Sequence, residues 1–137
     1  MADINDFNQT IIDEFRANDG KVGGPFAGAP MLLLTHTGAK SGKVRTTPLV
    51  CTNDNDDMII IASKSGAPVH PAWYHNLVVN PAVTVEVGTD RFDAIAVEVA
   101  GDDRQRLFDA QSALMPAFKE YQEKTTRTIP VLRLVRR

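Results

Sequence analysis

The stretch Val83-Thr84-Val85-Glu86-Val87-Gly88-Thr89-Asp90-Arg91-Phe92 decides the fold that this sequence predicts. Valines alternate with polar residues in its first half, and alternation resumes from Phe92 to Val99. Alternation with a period of two is typical of half-buried β-strands. The short polar connection Gly88-Thr89-Asp90 favours a β-hairpin between them. The stretch therefore predicts two neighbouring antiparallel strands.

Short apolar runs elsewhere predict four further strands, namely Met31–His36, Leu49–Thr52, Met58–Ala62 and a closing strand over Ile129–Val135. The polar run Asn53–Asp57 predicts the turn that joins the second and third of these. About six strands with few, mostly peripheral helices do not give the alternating order of a doubly wound sheet. The sequence therefore predicts an α+β domain built on a small antiparallel barrel or strongly curled sheet.

The predicted helices are short and lie between the strands or before them. Helical spacing of apolar residues predicts an amphipathic helix from Asp3 to Ala17, followed by a glycine-containing loop through Gly23-Gly24 to Ala29. Pro71–Val79 is predicted as a helix with proline in its first turn. A third helix is expected to be capped by Asp102 or Asp103 and to bury a stripe made of Leu107, Phe108, Leu114 and Met115. Pro116 should end it, and a short helix through Phe118 and Tyr121 should follow.

Length and composition set the broad class. A chain of 137 residues predicts one domain over residues 1–137, with residues 1–20 as the N-terminal helical part. A pI near 5.9 does not favour nucleic-acid binding. The single cysteine, Cys51, predicts a small buried side chain and fits a reducing compartment. No signal peptide or membrane-spanning run is seen, so we expect a soluble, cytoplasmic protein. As a separate expectation, the protein is a monomer or weak homodimer.

Two long stretches contain no acidic residue, namely His36–Asn53 and Met58–Val85. All 17 carboxylate side chains lie outside them, although the net charge of the chain is −2. The first stretch carries Lys40, Lys43 and Arg45 among Gly, Ser and Thr residues, which expose backbone N–H groups and hydroxyls. Cations without nearby carboxylates concentrate anionic ligands. This segment therefore predicts a phosphate or carboxylate site, although a plain hairpin turn would also explain Gly38 and Gly42.

Other kinds of site are not supported by the spacing of residues. The segment from Gly38 to Lys43 differs from a Walker P-loop, because three residues separate its glycines and Val44 stands where Ser or Thr would bind magnesium. His36, His70 and His75 do not have the spacing of metal ligands. No Gly-x-Ser-x-Gly motif indicates a covalent hydrolase.

Two aromatic positions leave alternatives open. Trp73 is the only tryptophan, and it is either an anchor of the core or a wall against which a flat heteroaromatic ring packs. Phe118 and Tyr121 follow the proline break on a segment that can lie at the surface, which allows them to cover a pocket.

Three sets of motifs carry a resemblance to a known family. They are LLTHTGAKSGKVR at 33–45 with Pro48-Leu49, ASKSG at 62–66 with PAWYHNL at 71–77, and Tyr121-Gln122 with RTIP at 127–130. In this order over one short domain, they resemble the deazaflavin (coenzyme F420)-dependent nitroreductase and quinone reductase family. The resemblance covers nearly the whole chain. It implies a split β-barrel related to FMN-binding flavoproteins that holds reduced F420 as a dissociable cosubstrate.

The resemblance also implies roles for individual residues. F420 carries a phosphodiester and an oligoglutamate tail, which would be held by Lys40, Ser41, Gly42, Lys43 and Arg45. The deazaflavin ring would be surrounded by Thr47, Pro48, Ala62, Ser63, Lys64, Pro71, Trp73 and Asn76. A hydride from the ring would reach a hydrophobic planar electrophile such as a quinone, an enone or a nitroaromatic. Tyr121, assisted by Ser63 or Ser65, would donate a hydrogen bond to the substrate oxygen.

The sequence departs from the family's pattern at the ends of the predicted site. Phe118 and Lys124 flank Tyr121 where relatives often carry further tyrosines, and Ala39 replaces a frequent basic residue. The acidic polar face of the N-terminal helix argues against binding to anionic lipid. Two alternatives stay open at this point: a split barrel with tightly bound FMN, and a non-catalytic F420-binding carrier.

Overall fold

A computed structural model describes residues 4–22 and 30–137, apart from the side chains of residues 4–7 and of Ser65. The predicted glycine loop from Gly23 to Ala29 lies outside the described residues. The strands are β1 (Met31–Thr37), β2 (Val44–Asp54), β3 (Asp57–Ile61), β4 (Ala82–Val87), β5 (Asp90–Val99) and β6 (Val131–Arg136). The helices are α1 (Ile4–Ala17), α2 (Ala72–Val79), α3 (Gly101–Leu114) and α4 (Ala117–Glu123), with a 3-10 turn at Lys64–Gly66.

The six described strands form a closed antiparallel barrel in the order β1-β2-β3-β6-β5-β4. The hairpin expected at Val83–Val99 is confirmed, because Val87 pairs with Asp90 across the two-residue connection Gly88-Thr89. Closure of the barrel leaves none of its described strands with an unpaired edge. The predicted antiparallel barrel is therefore confirmed.

Alternation along the strands places one set of apolar side chains inside the barrel and another on its outer surface. The inner cluster includes Leu32 and Leu34 of β1 together with Cys51, Trp73 and Leu134. On the outside, α1 covers Met31 and Leu33 with Ile11, Ile12 and Phe15. Helices α3 and α4 cover Ile59, Ile61 and Val131 with Leu107, Phe108 and Phe118. The helices therefore lie at the periphery, as their amphipathic patterns predict.

Strand boundaries differ from the predictions where tertiary pairing adds residues. The second strand begins at Val44 rather than at Leu49, because its first half pairs with β1 from Thr37↔Val44 to Leu33↔Pro48. The last strand runs over Val131–Arg136 rather than Ile129–Val135. Short polar segments join a strand when a neighbouring strand supplies their hydrogen-bond partners, which local sequence does not show.

Three predictions about the C-terminal helices were wrong. Ala100 occupies the N-cap of α3, and Asp102 and Asp103 lie in its first turn without capping it. Leu114, the last residue of α3, is 63% exposed and does not belong to the predicted buried stripe. Phe118 is buried against Ile59 and Phe108 and is not a surface residue.

Strand directions bring the predicted site segments to one end of the barrel. Because all pairs are antiparallel, β1, β3 and β5 end where β2, β4 and β6 begin. The connections 38–43, 62–81 and 100–130 therefore meet at this end, which we call the loop end. The turns at 55–56 and 88–89 lie at the opposite end. No helix within residues 4–22 and 30–137 has the length and apolar character to cross a membrane.

Candidate active site

The loop between β1 and β2 is a structured turn at the loop end. The Gly38 N–H donates to the Lys43 carbonyl at 2.8 Å, and the Gly42 N–H donates to the Gly38 carbonyl at 3.1 Å. The Ser41 hydroxyl oxygen accepts from the Lys43 N–H at 3.2 Å. Gly42 has a φ of 69°, a left-handed conformation that glycine adopts without strain. These bonds within the loop stabilise its turn.

The cations of this loop have no partner of opposite charge among the described residues. Lys40, Lys43 and Arg45 are all exposed, and none lies within 4.0 Å of a described carboxylate. By contrast, Arg16 and Arg133 form ion pairs at 2.8 Å and 2.7 Å. Unpaired cations with the same sign favour binding of an anion between them. Their chemistry fits a phosphodiester and a polycarboxylate tail.

Helix α2 connects this cationic loop to the rest of the loop end. The Asn76 carboxamide oxygen accepts from the Ala39 N–H at 2.9 Å, and the Asn76 amide nitrogen lies 3.2 Å from His36 Nδ1. The Asn80 amide donates to the Thr37 carbonyl at 3.4 Å. The oxygen of Asn76 is therefore occupied in positioning the loop, and its contact with a ring stays a prediction.

The chain that follows β3 is held by the guanidinium group of Arg127. This group donates to the carbonyls of Ser63 at 2.7 Å, Ala67 at 2.9 Å and Ala62 at 3.2 Å. It also lies 3.0 Å from His70 Nδ1. Burial lowers the pKa of Arg127, but the ordinary pKa of arginine is so high that the group stays charged at neutral pH. One side chain thereby fixes the backbone of 62–67, which contains the predicted ring contacts Ala62, Ser63 and Lys64.

Backbone conformation at the 3-10 turn is unusual for the residues present. Lys64 is exposed and has a φ of 46°, a left-handed conformation that is uncommon outside glycine. Gly66 has a φ of 80°, and a Cβ atom there would lie 2.8 Å from the Tyr121 carbonyl oxygen. The absence of a side chain at Gly66 therefore allows α4 to approach the turn. Such strained positions cluster at ligand sites, which agrees with a role for Lys64.

Tyr121 is the available hydroxyl donor of α4. Its ring is half-buried and packs edge-on against Phe118, with ring centroids 5.5 Å apart. The Tyr121 hydroxyl has no hydrogen-bond partner among residues 4–22 and 30–137. Of its predicted helpers, Ser63 is 8% exposed, and the side chain of Ser65 is not described. Ser63 precedes the 3-10 turn and the Tyr121 backbone approaches Gly66 within it, so the structure brings both residues to the same turn.

The predicted ring-contact residues differ in exposure. Trp73 is 8% exposed and belongs to the inner barrel cluster, which confirms its interpretation as a core anchor. Pro71 is buried, whereas Thr47 and Pro48 are half-buried. A groove of about 340 Å³ lies between α1 and β2, and its lining includes Arg45 and Thr47 but not Trp73. A role of Trp73 as a ring wall stays a prediction.

Sequence reasoning missed the residues that position the site. Arg127 and Gln122 were included only as parts of a motif, but the Gln122 side chain donates to the Arg127 carbonyl and accepts from the Ile129 N–H. The spacing of His36 argued only against a metal site and its motif gave it no role, but in the structure it bonds to Thr47 and Asn76. Their position within the shared motifs was the available signal. The partners lie up to 65 residues away in sequence, so spacing did not show them.

Comparisons with known proteins agree with this geometry. Residues 8–135 match the family described as F420H(2)-dependent quinone reductase. The F420H(2)-dependent quinone reductase of Mycobacterium tuberculosis (strain ATCC 25618 / H37Rv) is 42% identical over 127 residues, which are 90% of this chain and 85% of that protein. The solved structure of an F420-H2 dependent reductase (FDR-A) is 42% identical, with a TM-score of 0.71 over 77% of this chain and 93% of its own. A solved structure described as a domain-swapped dimer is 37% identical, with a TM-score of 0.73 over 94% of this chain and 95% of its own.

The matched range covers every segment described at the loop end, from the cationic loop to Arg127. The closed antiparallel barrel, the loop cations without a described ion-pair partner and the matched motifs all lead to the same assignment, which also confirms the resemblance seen in the sequence. This chain belongs to the F420H(2)-dependent quinone reductase family, whose members are oxidoreductases with coenzyme F420 as cofactor.

Proposed function

We propose that the loop end of the barrel is the F420 site and that the substrate is a hydrophobic planar electrophile, such as a quinone, an enone or a nitroaromatic. The observation that carries this proposal is that Lys40, Lys43 and Arg45 are exposed and form no ion pair with a described residue. Their loop is tied through α2 to the turn that Arg127 holds. The cationic loop thus complements the phosphodiester and tail of F420, and the segments connected to it supply the predicted contacts to the deazaflavin ring.

In this site the protein mainly binds and orients. Lys40, Ser41, Gly42, Lys43 and Arg45 hold the phosphodiester and the carboxylate tail. Thr47, Pro48, Ala62, Ser63, Lys64, Pro71, Trp73 and Asn76 surround the ring. Bound reduced F420 supplies a hydride, which is the redox chemistry of the cofactor. Orientation of two reactants in one site converts their encounter into an intramolecular step.

Tyr121 is the proposed catalytic hydrogen-bond donor. Its hydroxyl has no described partner, so donation to a substrate does not break an existing bond. Negative charge develops on a quinone or enone oxygen as the carbon skeleton accepts a hydride, and a fixed donor stabilises it. Tyr121→Phe should therefore lower kcat with little change in the dissociation constant for F420. Equal activity of Tyr121→Phe would remove this role.

A binding experiment tests the cofactor site. Titration of the protein with F420, followed by cofactor fluorescence, should give saturable binding in the micromolar range. Lys40→Ala with Arg45→Ala should raise the dissociation constant at least about tenfold, since each charge-assisted bond contributes about 1.5–3 kcal/mol before screening by solvent.

A matched control separates local contacts from net charge. Lys21→Ala with Arg91→Ala also removes two exposed cations. Arg91 pairs with Glu86 near the 88–89 turn, and Gly20, beside Lys21, closely approaches Gly88, so both lie at the opposite end of the barrel. If both double variants raise the dissociation constant for F420 equally, the net charge of the protein attracts F420 and the loop cations make no specific contact with it.

Turnover separates an enzyme from a carrier. Oxidation of reduced F420 in the presence of quinones, enones and nitroimidazoles should restore the fluorescence of the oxidised cofactor. Binding without turnover across the panel would favour a carrier. A purified protein with tightly bound flavin absorbance would favour the FMN-binding alternative.

Two further parts of the proposal concern the state of the protein. We place it in the cytoplasm as a monomer or weak homodimer without stable membrane insertion. A related structure is described as a domain-swapped dimer. Light scattering across a concentration series will distinguish a weak dimer, which dissociates on dilution, from a swapped dimer, which does not.

A further inference from the structure

His36 occupies an unusual place for a polar side chain. It continues the inner row of β1 after Leu32 and Leu34 and is only 3% exposed. Buried polar groups are costly unless they are hydrogen-bonded. Both ring nitrogens of His36 have a partner, since Nε2 lies 2.9 Å from Thr47 Oγ1 and Nδ1 lies 3.2 Å from the Asn76 amide nitrogen.

The direction of these hydrogen bonds follows from the backbone N–H of Ala39. That group can only donate, and it donates to the Asn76 oxygen at 2.9 Å. The Asn76 amide nitrogen must therefore face His36 and donate to Nδ1. Since Nδ1 accepts, the proton of the neutral imidazole is on Nε2, and Nε2 donates to the Thr47 oxygen.

Two features keep His36 neutral. Burial lowers its pKa below the ordinary value, and the nearby Arg45 cation lowers that pKa further. Protonation of Nδ1 would also place two donors against each other at Asn76. The oxygen of Thr47 consequently accepts from a fixed donor, and the Thr47 hydroxyl hydrogen has no acceptor among the described residues.

We infer that His36 is a positioning residue that fixes the half-buried Thr47 hydroxyl as a hydrogen-bond donor to the bound deazaflavin cofactor. The inference rests on the proposed function, which places Thr47 beside the ring. The atom that it recognises must be an acceptor, either a carbonyl oxygen or an unprotonated ring nitrogen. Through Asn76, the same chain of bonds joins this donor to the cationic loop at Ala39, so the ring contact and the anion-binding loop are set together.

The tautomer can be tested without any ligand. Nitrogen-15 chemical shifts of the histidine rings, with His36 assigned by comparison with His36→Gln, should show an unprotonated Nδ1 and a protonated Nε2 at neutral pH. The opposite tautomer would overturn the inference, because an unprotonated Nε2 would accept the Thr47 hydroxyl hydrogen and leave none for the ligand.

A double-mutant cycle on F420 affinity tests the coupling. His36→Leu and Thr47→Val should each raise the dissociation constant about fivefold, as expected for the loss of one hydrogen bond. The double variant should fall well short of the about 25-fold loss that additivity gives, because the bond from His36 to Thr47 has no effect once the Thr47 hydroxyl is absent. His36→Gln, which can accept from Asn76 and donate to Thr47, and Thr47→Ser, which keeps the hydroxyl, should stay within about twofold of the wild type.

Other results would distinguish the role of His36 from the proposed binding of F420. Additive losses in the cycle, or full affinity of Thr47→Val, would overturn the role of His36 while F420 binding by the wild type still supports the proposed function. Failure of the wild type to bind F420 would overturn the proposed function and the ligand part of the inference together. Thermal unfolding of each variant shows whether a loss of affinity merely reflects unfolding.

Discussion

Arg127→Lys is the most informative single substitution for the architecture of the site. The guanidinium group of Arg127 donates to three backbone carbonyls and lies beside His70. An ammonium group at the end of a lysine side chain keeps the charge but does not have the planar fork that reaches several acceptors at once. We expect one of these bonds to survive in the variant.

The expected loss is worked from those bonds. Two or more charge-assisted bonds of about 1.5–3 kcal/mol each would be lost, and partial hydration of the freed carbonyls reduces the net cost to about 3 kcal/mol. For a domain of this size, such a loss lowers the midpoint of thermal unfolding by about 10 °C. Because the freed carbonyls belong to Ala62, Ser63 and Ala67, affinity for F420 should fall about tenfold even where the variant is fully folded.

Circular dichroism melts and F420 titrations at 15 °C would measure these two effects. Arg106→Lys is the matched control, because Arg106 also makes several charged hydrogen bonds but is half-exposed and pairs with Asp54 on the barrel wall. It should lower the midpoint of thermal unfolding much less than Arg127→Lys does and leave F420 affinity unchanged, because solvent screens exposed ion pairs. If Arg127→Lys melts within 2 °C of the wild type and binds F420 equally well, the backbone of 62–67 does not depend on this side chain.

Three further outcomes are expected. Gly66→Ala should displace α4 and reduce turnover through Tyr121, because a Cβ at Gly66 would lie 2.8 Å from the Tyr121 carbonyl oxygen. Gly101→Ala is the control, since Gly101 also has a positive φ but has open space around it, and this variant should leave turnover intact. Equal kinetics of the two variants would contradict the close approach of α4 to Gly66. Cys51 should resist a thiol reagent at pH 8 in the native protein and react after unfolding, because burial raises its pKa to about 12, and rapid native labelling would contradict its burial. The free energy of unfolding should fall as pH drops below about 6.5, where His36 of the unfolded chain becomes protonated. In the folded chain, burial and the Arg45 cation lower the pKa of His36, so it takes up a proton only at lower pH. His36→Gln should make this slope shallower, and an unchanged slope would mean that other groups cause it.

The sequence predicted the class of fold because its signals are local. Alternation over Val83–Val99 and the short polar connection fix a hairpin without reference to the rest of the chain, and the acid-free run around Lys40 shows a cationic loop directly. The motifs at 33–45, 62–66 and 71–77 were enough to name the family. The boundaries of β2 were not predicted, since the strand character of Val44–Pro48 comes from pairing with β1.

Tertiary structure alone decided how the site is held together. The bonds from Arg127 to Ala62 and from His36 to Asn76 join residues that are 65 and 40 positions apart, and no periodicity links them. Burial of Phe118 and exposure of Leu114 likewise depend on how α3 and α4 pack on the barrel, which local pattern does not show. Local pattern determines which segments become strands and which loop carries charge. The closure of the barrel, which brings the ends of β1 and β3 together, determines which side chains position the site and which remain free to bind.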